Sequence, residues 1–356
     1  MGNLRRFLLT PAALLYGTGI SVRNRLFDLG IFQSHKAAIP VVSIGNVTMG
    51  GTGKTPLVDF VVKYYSRKGL KPAILSRGYK RSTQGVKMVS DGRQIFFESR
   101  EAGDECAMLA HKNPETIVVV AEKRKEGAGF IAAHFAETPP DVIVLDDGFQ
   151  HRQLYRDLDI VVINTSAPFF DDRLIPAGRL REPCKNLDRA DLLILSKITN
   201  IEQASQFEEN LRTTGKPLVK TGVRPGKPVQ FAGPDAPQPE KVIALAGIGQ
   251  PEGFAESLQH SGITVGTTTF LGDHADFPLK KIKSLVEQAQ QHGLSIVTTE
   301  KDYYRLLSNR PILETLSPVP CFYLPVEIKI IEGMELFKEM LDQAVSSHPA
   351  TRQVIL

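Results

Sequence analysis

The 356-residue chain has only three cysteines, Cys106, Cys184 and Cys321, far apart and odd in number. That excludes a disulfide framework, and no metal-ligand spacing surrounds them. Such usage fits a reducing cytoplasm. An excess of one charge is also missing: 43 basic against 39 acidic residues leave +4. This is too mild for a protein that must neutralise many nucleic-acid phosphates. No stretch combines aromatic and basic residues as a strand-tracking surface would, so no nucleic-acid partner is expected. Long apolar runs are lacking too. The uncharged stretch Phe7 to Ile20 would cover about 21 Å as a helix, short of the roughly 30 Å hydrocarbon core. Pro11, Gly17 and Gly19 weaken it further as a membrane span. No small-residue cleavage site follows it, and Arg6 stands where a myristoylation signal needs Ser or Thr. Internal repeats and low-complexity tracts are absent.

What that stretch does have is basic flanks: Arg5 and Arg6 before it, Arg23, Arg25 and Lys36 after it. Residues 1–35 are therefore read as an apolar, basic segment that lies in the bilayer interface, drawn to anionic lipid. The same pattern also suits a helix packed on the protein's own core.

The most informative stretch is Gly50-Gly51-Thr52-Gly53-Lys54-Thr55. It follows the apolar run Ile39–Ile44 and precedes an amphipathic stretch from Pro56 to Lys68. Strand, glycine-rich turn and helix in that order let backbone N–H groups and the positive helix end converge on a polyphosphate. Lys54 supplies a point charge for the β- and γ-phosphates, and the Thr55 hydroxyl is placed to ligate Mg²⁺. Pro56 fits the first helical turn, where its missing N–H costs nothing. Thr48 stands where the strict pattern has glycine, so the loop is a variant with its glycines crowded before the lysine. Thr48, Met49, Gly50, Gly51, Thr52, Gly53, Lys54 and Thr55 are the expected nucleotide-binding residues, for ATP with Mg²⁺.

With 42% hydrophobic residues the chain can fill proper cores, and its length suggests about two domains. Short apolar strands (Pro72–Ser76, Thr116–Ala121, Val142–Asp147, Leu158–Asn164, Leu192–Ser196) alternate with helical patterns such as Glu105–His111 and Glu126–Phe135. This predicts a P-loop NTPase-like, doubly wound α/β fold with a mainly parallel sheet. Proline- and glycine-rich sequence around residues 226–240 reads as a linker. A second, smaller α/β lobe follows: strands Val242–Ala246, Ile263–Phe270, Ser295–Thr299 and Cys321–Leu324, with helices Pro251–His260, Leu279–His292 and Met334–Ala344. The expected division is 1–35, 36–225, 226–240 and 241–356, with a cleft between the lobes.

A second chemical signal is the strand Val142–Leu145 running into Asp146-Asp147-Gly148-Phe149-Gln150-His151-Arg152. A carboxylate ending a strand is how phosphate-loop enzymes hold Mg²⁺ opposite the loop hydroxyl. Alone it would pass as a solvated strand end or a helix cap; joined to the loop upstream, it makes Asp146 the candidate metal ligand.

Together with Gly45–Pro56, Ser76-Arg77-Gly78-Tyr79 and Asp146–His151, four further stretches carry a resemblance. They are Gly103-Asp104-Glu105, Pro176–Pro183, Ala246-Gly247-Ile248-Gly249 and Thr298–Asp302. The chain resembles the tetraacyldisaccharide 4'-kinases over nearly its whole length. The resemblance implies transfer of the γ-phosphoryl of ATP to the 4'-hydroxyl of a lipid-linked, acylated glucosamine disaccharide 1-phosphate. It also implies peripheral residence at the cytoplasmic face of a bacterial inner membrane; a monomer is expected. It adds Arg181 near the transferred phosphate, Glu182 near the metal, and Asp104 as the base for the acceptor hydroxyl, assisted by His274. Asp147 joins the catalytic set as the next candidate base. On residue pattern alone, Arg179-Leu180-Arg181-Glu182 reads as a solvated charge run and Asp104 as a helix N-cap. Two departures from the family pattern are Cys106, where proline is usual, and Ala275-Asp276 after Asp273-His274. The rival readings are a membrane-associated ATPase of the metal-chaperone or partitioning type and a nucleotide sensor. Neither gives a reason for Gly-Phe-Gln-His-Arg after the acidic pair.

Overall fold

The computed structural model describes residues 3–167, 169–198, 201–249, 251–272 and 277–348. Two helices open the chain, α1 (Asn3–Leu8) and α2 (Thr10–Asp28). The first sheet then builds through β1 (Val41–Gly45), α3 (Lys54–Arg67), β2 (Pro72–Ser76), β3 (Lys87–Asp91), α4 (Ser99–Ala102) and α5 (Asp104–Lys112). It continues with β4 (Ile117–Val120), α6 (Arg124–His134), β5 (Val142–Asp146), β6 (Leu158–Asn164), β7 (Leu192–Ser196), α7 (Ile201–Arg212) and β8 (Leu218–Pro225). The second sheet takes β9 (Val229–Ala232), β10 (Lys241–Ala246), α8 (Pro251–His260), β11 (Thr264–Phe270), α9 (Leu279–His292) and β12 (Ser295–Thr299). After α10 (Glu300–Leu307), α11 (Arg310–Leu316) and β13 (Cys321–Leu324) come β14 (Val326–Glu332) and α12 (Met334–Ser346).

The large sheet runs β14-β8-β7-β6-β1-β5-β2-β4-β3. Only its edge strands, β3 against β4 and β14 against β8, are antiparallel. Its central strands are buried on both faces, which explains why they read as continuous Val, Ile and Leu rather than as an alternation. β1 lies between β5 and β6, and its crossover through α3 leads past β5 to β2. The carboxyl ends of these strands therefore open a crevice where the strand order switches, the usual ligand position of such sheets. Helix α3 buries Leu57, Val58, Val61, Val62 and Tyr65, a stripe with helical spacing. Each such side chain contributes roughly 1.5–3 kcal/mol by leaving water. The smaller sheet, β11-β10-β12-β13-β9, has its own cores around Leu285 and Phe322.

The chain departs from the expected domain boundaries at two points. The presumed linker contains β9, which pairs antiparallel with β13. The presumed last lobe ends early: β14 returns to the first sheet on β8, and α12 packs into the first core. There Phe337 stacks on Phe60 at 6.0 Å, and the Tyr65 hydroxyl donates to Leu341 O at 2.9 Å. The core of the first sheet is thus closed by β14 and α12. The two lobes also meet where α5 faces α10: Lys112 Nζ sits 2.9 Å from Glu300 Oε2, and His111 stacks on Tyr304 at 5.4 Å.

Helix α2 is continuous through Gly17 and Gly19, and of the two only Gly17 is a close-packed position. A Cβ on Gly17 would come 2.6 Å from Leu174 Cδ1. One face, with Ala13, Gly17 and Asn24, is buried; Leu14 and Leu15 are 67% and 76% exposed. Among the described residues no helix is long and apolar enough to cross a membrane.

Candidate active site

The loop after β1 is pinned from several sides. Gln150 Nε2 donates to Asn46 O at 2.9 Å, and Asn46 Nδ2 donates to Thr48 O at 2.8 Å and Thr52 Oγ1 at 3.0 Å. Ser196 Oγ, at the end of β7, donates to Thr52 O at 2.7 Å. The Arg181 and Met49 N–H groups donate to Val47 O and Arg179 O, both at 2.7 Å, bridging Thr48 with Leu180. Thr48 and Met49 are joined through the backbone to the Arg179–Arg181 segment, and Gly50 to Gly53 run on from there into α3. Gly50 and Gly53 have φ of +106° and +85°, a region that glycine enters without steric cost. Gly53 leads directly into α3, so loop amides and helix dipole point to one place.

The acid pair closes the other side. Asp146 is buried at the end of β5; Ser76 Oγ donates to its Oδ2 at 2.8 Å, while Oδ1 has no donor among the described residues. Burial, then the neighbouring charges of Glu105 and Asp147, push its pKa up to about 6 against the pull of Lys54. Asp147 is different. Burial opposes its charge, yet Lys54 and Arg181 hold it well below the usual carboxylate range. Lys54 Nζ is 3.3 Å from its Oδ1, and Arg181 Nη1 contacts both oxygens at 2.9 and 2.8 Å. Its backbone φ of +53° is uncommon outside glycine, though Asp tolerates it better than most.

Thr55 Oγ1 donates to Glu105 Oε2 at 3.2 Å, so α5 delivers a further carboxylate to the loop. Glu105 was not among the expected site residues; its signal in the sequence was an acidic pair opening a helix. Asp104, beside it, is the first residue of α5 after Gly103 and so is not the cap; its Oδ2 is 3.3 Å from Arg305 Nε. His274 lies outside the described residues. A second residue missed is Lys197, a half-buried lysine whose amine lies 3.8 Å from the Cβ position of Gly51. Burial lowers its pKa. The buried Cys106 thiol, pushed up to about 12 by burial, is no nucleophile.

Glu182 is held from several sides through one of its two oxygens. Its carboxylate is fully buried and accepts from Arg189 Nη2 at 2.6 Å, Asn186 Nδ2 at 2.7 Å and Asn24 Nδ2 at 3.0 Å. The Asn24 bond ties Glu182 to α2, Asn186 and Arg189 tie it to the segment that follows, and its Oε1 has no donor among the described residues. The Tyr16 hydroxyl adds a bond to Arg181 O at 2.8 Å.

Next to the acid pair is a cavity of about 200 Å³ lined by Arg23, Phe27, Lys123, Arg124, His151 and Arg152 among others. Arg124 gives Nη1 to Ala121 O and Glu122 O, while its buried Nε and Nη2 have no acceptor among the described residues. Burial lowers its pKa to about 10, with Asp146 and Asp147 opposing the shift, so it stays charged at neutral pH. His151 is driven down to about 3 by burial and then by Arg124.

A phosphate loop at the switch point, with a strand-end acid pair opposite and a basic cavity beside it, defines a P-loop phosphotransferase. The chain belongs to the tetraacyldisaccharide-1-P 4'-kinase family, whose sequence profile matches residues 5–346. It is 51% identical over 338 residues to a tetraacyldisaccharide 4'-kinase of Chlorobaculum parvum, covering 94% of each chain. With that of Chlorobium chlorochromatii it shares 47% identity over 356 residues, covering 98% of this chain and 96% of the other. A crystal structure of LpxK from Aquifex aeolicus in complex with ATP superposes with a TM-score of 0.75 at 32% identity. That match covers 96% of this chain and 99% of the other. The chain is a kinase.

Proposed function

We propose that this kinase transfers the γ-phosphoryl of ATP to the 4'-hydroxyl of an acylated glucosamine disaccharide 1-phosphate held at a membrane surface. One juxtaposition carries the reading. A phosphate loop and acid pair sit against a basic cavity that is flanked by a helix with its apolar side chains outward. The first pair of features receives a nucleotide, the cavity an anionic acceptor, and the helix the lipid part.

Phosphoryl transfer runs through a loose transition state, so the protein acts mainly by positioning and charge neutralisation. Gly50 to Gly53 and the start of α3 offer N–H groups to the phosphates. Lys54 and Arg181, which now share Asp147, neutralise charge on the transferred group. Thr55 and Asp146 would hold Mg²⁺, and the undonated, buried Asp146 Oδ1 fits that role. Mg²⁺ needs only one or two carboxylates when substrate phosphates and water supply the rest. When bound, it offsets the developing negative charge. Glu182, whose buried Oε1 likewise has no donor among the described residues, is the further carboxylate that would join it. Asp104 accepts the proton of the 4'-hydroxyl with His274 assisting, as the hydroxyl oxygen forms its bond to phosphorus and ADP leaves.

The acceptor's 1-phosphate suits the undonated guanidinium N–H groups of Arg124, since a planar, buried cation with two unused donors can bind two phosphate oxygens at once. The exposed Phe7, Leu8, Leu14 and Leu15 support interfacial residence of residues 1–35 at the cytoplasmic face of an inner membrane. Incubation with labelled ATP and the acylated disaccharide 1-phosphate tests the reading. Labelled lipid is the expected outcome; free phosphate alone would mean an ATPase instead.

A further inference from the structure

Two stretches singled out in the sequence, Ala246-Gly247-Ile248-Gly249 and Thr298–Asp302, touch neither the phosphate loop nor the basic cavity by any bond described above. In the fold they meet. β10 and β12 are neighbours, with Leu245 opposite Thr298, and both end beside Asp302. That carboxylate is fully buried. Its Oδ2 accepts from the Gly247 N–H and from Thr299 Oγ1, both at 2.8 Å, and its Oδ1 accepts from Arg305 Nη1 at 2.7 Å. The Arg305 guanidinium lies over the Phe277 ring at 4.9 Å. From this seat, only 9% exposed, it presents Nε to Asp104 Oδ2 of the other lobe at 3.3 Å. The same helix sets Lys301 Nζ 3.3 Å from Glu105 Oε1 and Glu300 Oε2 2.9 Å from Lys112 Nζ. Three charges on α10 thus face three of opposite sign on α5, and Glu105 in turn holds Thr55.

A buried cation is costly unless it is paired and hydrogen-bonded. Arg305 meets that condition by binding two carboxylates from different lobes with one planar group, whose geometry is fixed by delocalisation. We propose that Arg305 is a positioning residue: held by Asp302, Gly247 and Phe277, it aims the Asp104 carboxylate at the acceptor hydroxyl. The second sheet then acts on the reaction by setting the base's orientation. The inference rests on the reading of Asp104 as the base. Misplacing a reacting group by about 1 Å can cost about 100-fold in rate, so the expected effect is on kcat rather than on nucleotide affinity.

Gly247 offers a test that keeps every charge. A Cβ there would come 2.9 Å from Arg305 Nη1 and 3.2 Å from Asp302 Oδ1. Gly247→Ala therefore displaces the guanidinium while leaving the fold. The experiment measures kcat, the Kd of a non-hydrolysable ATP analogue and Tm for Gly247→Ala, Arg305→Met, Asp104→Asn and the double Asp104→Asn/Arg305→Met. Arg305→Met should lower kcat about 10- to 100-fold and Gly247→Ala about 3- to 10-fold, with analogue Kd nearly unchanged. The double variant should be no slower than Asp104→Asn alone, because the two act as one unit. If Asp104→Asn lowers kcat but the two losses multiply, or if Gly247→Ala turns over normally, Arg305 does not act through Asp104 and the inference falls while the base reading stands. Normal turnover in Asp104→Asn would overturn both. Should Arg305→Met lack a cooperative melt, Gly247→Ala decides alone.

Discussion

Lys54 is paired with Asp147, not with Asp146: its Nζ stands 3.3 Å from Asp147 Oδ1. The two neighbouring acids therefore have different electrostatic lives. Asp147 is neutralised by Lys54 and Arg181, whereas Asp146 is buried with one oxygen undonated. A phosphoryl group entering the loop competes with Asp147 for both cations. Asp147→Asn should accordingly keep or modestly improve ATP affinity while lowering kcat. Asp146→Asn should weaken Mg²⁺-dependent nucleotide binding as well as turnover. Titration of nucleotide with and without Mg²⁺ beside kcat distinguishes the two; equal losses of affinity in both variants would reject the division of roles.

Lys54→Ala and Thr55→Ala should each abolish phosphoryl transfer. Neither side chain belongs to a hydrophobic core, so cooperative melting should persist. Thermal unfolding alongside the transfer assay checks this. Normal turnover in purified Lys54→Ala protein would refute the loop assignment.

Arg124→Met should raise the KM for the acylated disaccharide 1-phosphate about tenfold or more, since losing a charged hydrogen bond costs about 1.5–3 kcal/mol. ATP affinity should stay close to normal. Comparing the 1-phosphate acceptor with its dephosphorylated counterpart isolates the contact. The wild type should discriminate between them, and Arg124→Met should do so far less. Equal discrimination by both proteins would move the phosphate site elsewhere.

Leu14→Asp combined with Leu15→Asp should release the protein from vesicles containing anionic lipid. Both side chains are exposed on α2, at 67% and 76%, so the fold and ATP binding should not change. Cosedimentation reads the outcome directly. A double variant that sediments like the parent would shift the anchor to the basic residues.

His151 predicts a pH dependence of stability. Its folded-state pKa is driven from 6.5 down to about 3 by burial and then by Arg124. The unfolded chain thus takes up a proton that the folded chain refuses. Stability from this group is complete above pH 6.5 and falls as the pH drops toward 3. At about pH 5.5 the loss is at most about 1.4 kcal/mol. His151→Gln should flatten the denaturation free energy between those limits. An unchanged slope would mean that another group titrates there.

Much of the fold is written locally. β2, β6, β7, β12, β13, α8 and α9 begin and end where apolar runs and helical spacing place them. Periodicity within a short window is enough to choose strand or helix. The turn between β1 and α3 and the strand end at Asp146 were legible for the same reason: strand, turn and helix are contiguous in sequence. Only the tertiary structure decided which distant pieces meet. β14 and α12 carry no local mark that they return to the first sheet after a whole second one. Glu182 reads as one letter of a charge run until Asn24, 158 residues away, donates to it. Arg305 and Asp104 belong to different lobes, and their 3.3 Å approach exists only once α10 docks on α5. Strand and helix formation depends on neighbours in sequence. For Arg305 with Asp104, and for Glu182 with Asn24, the partner is set by what the packed cores bring within reach, and no short window of the sequence contains both.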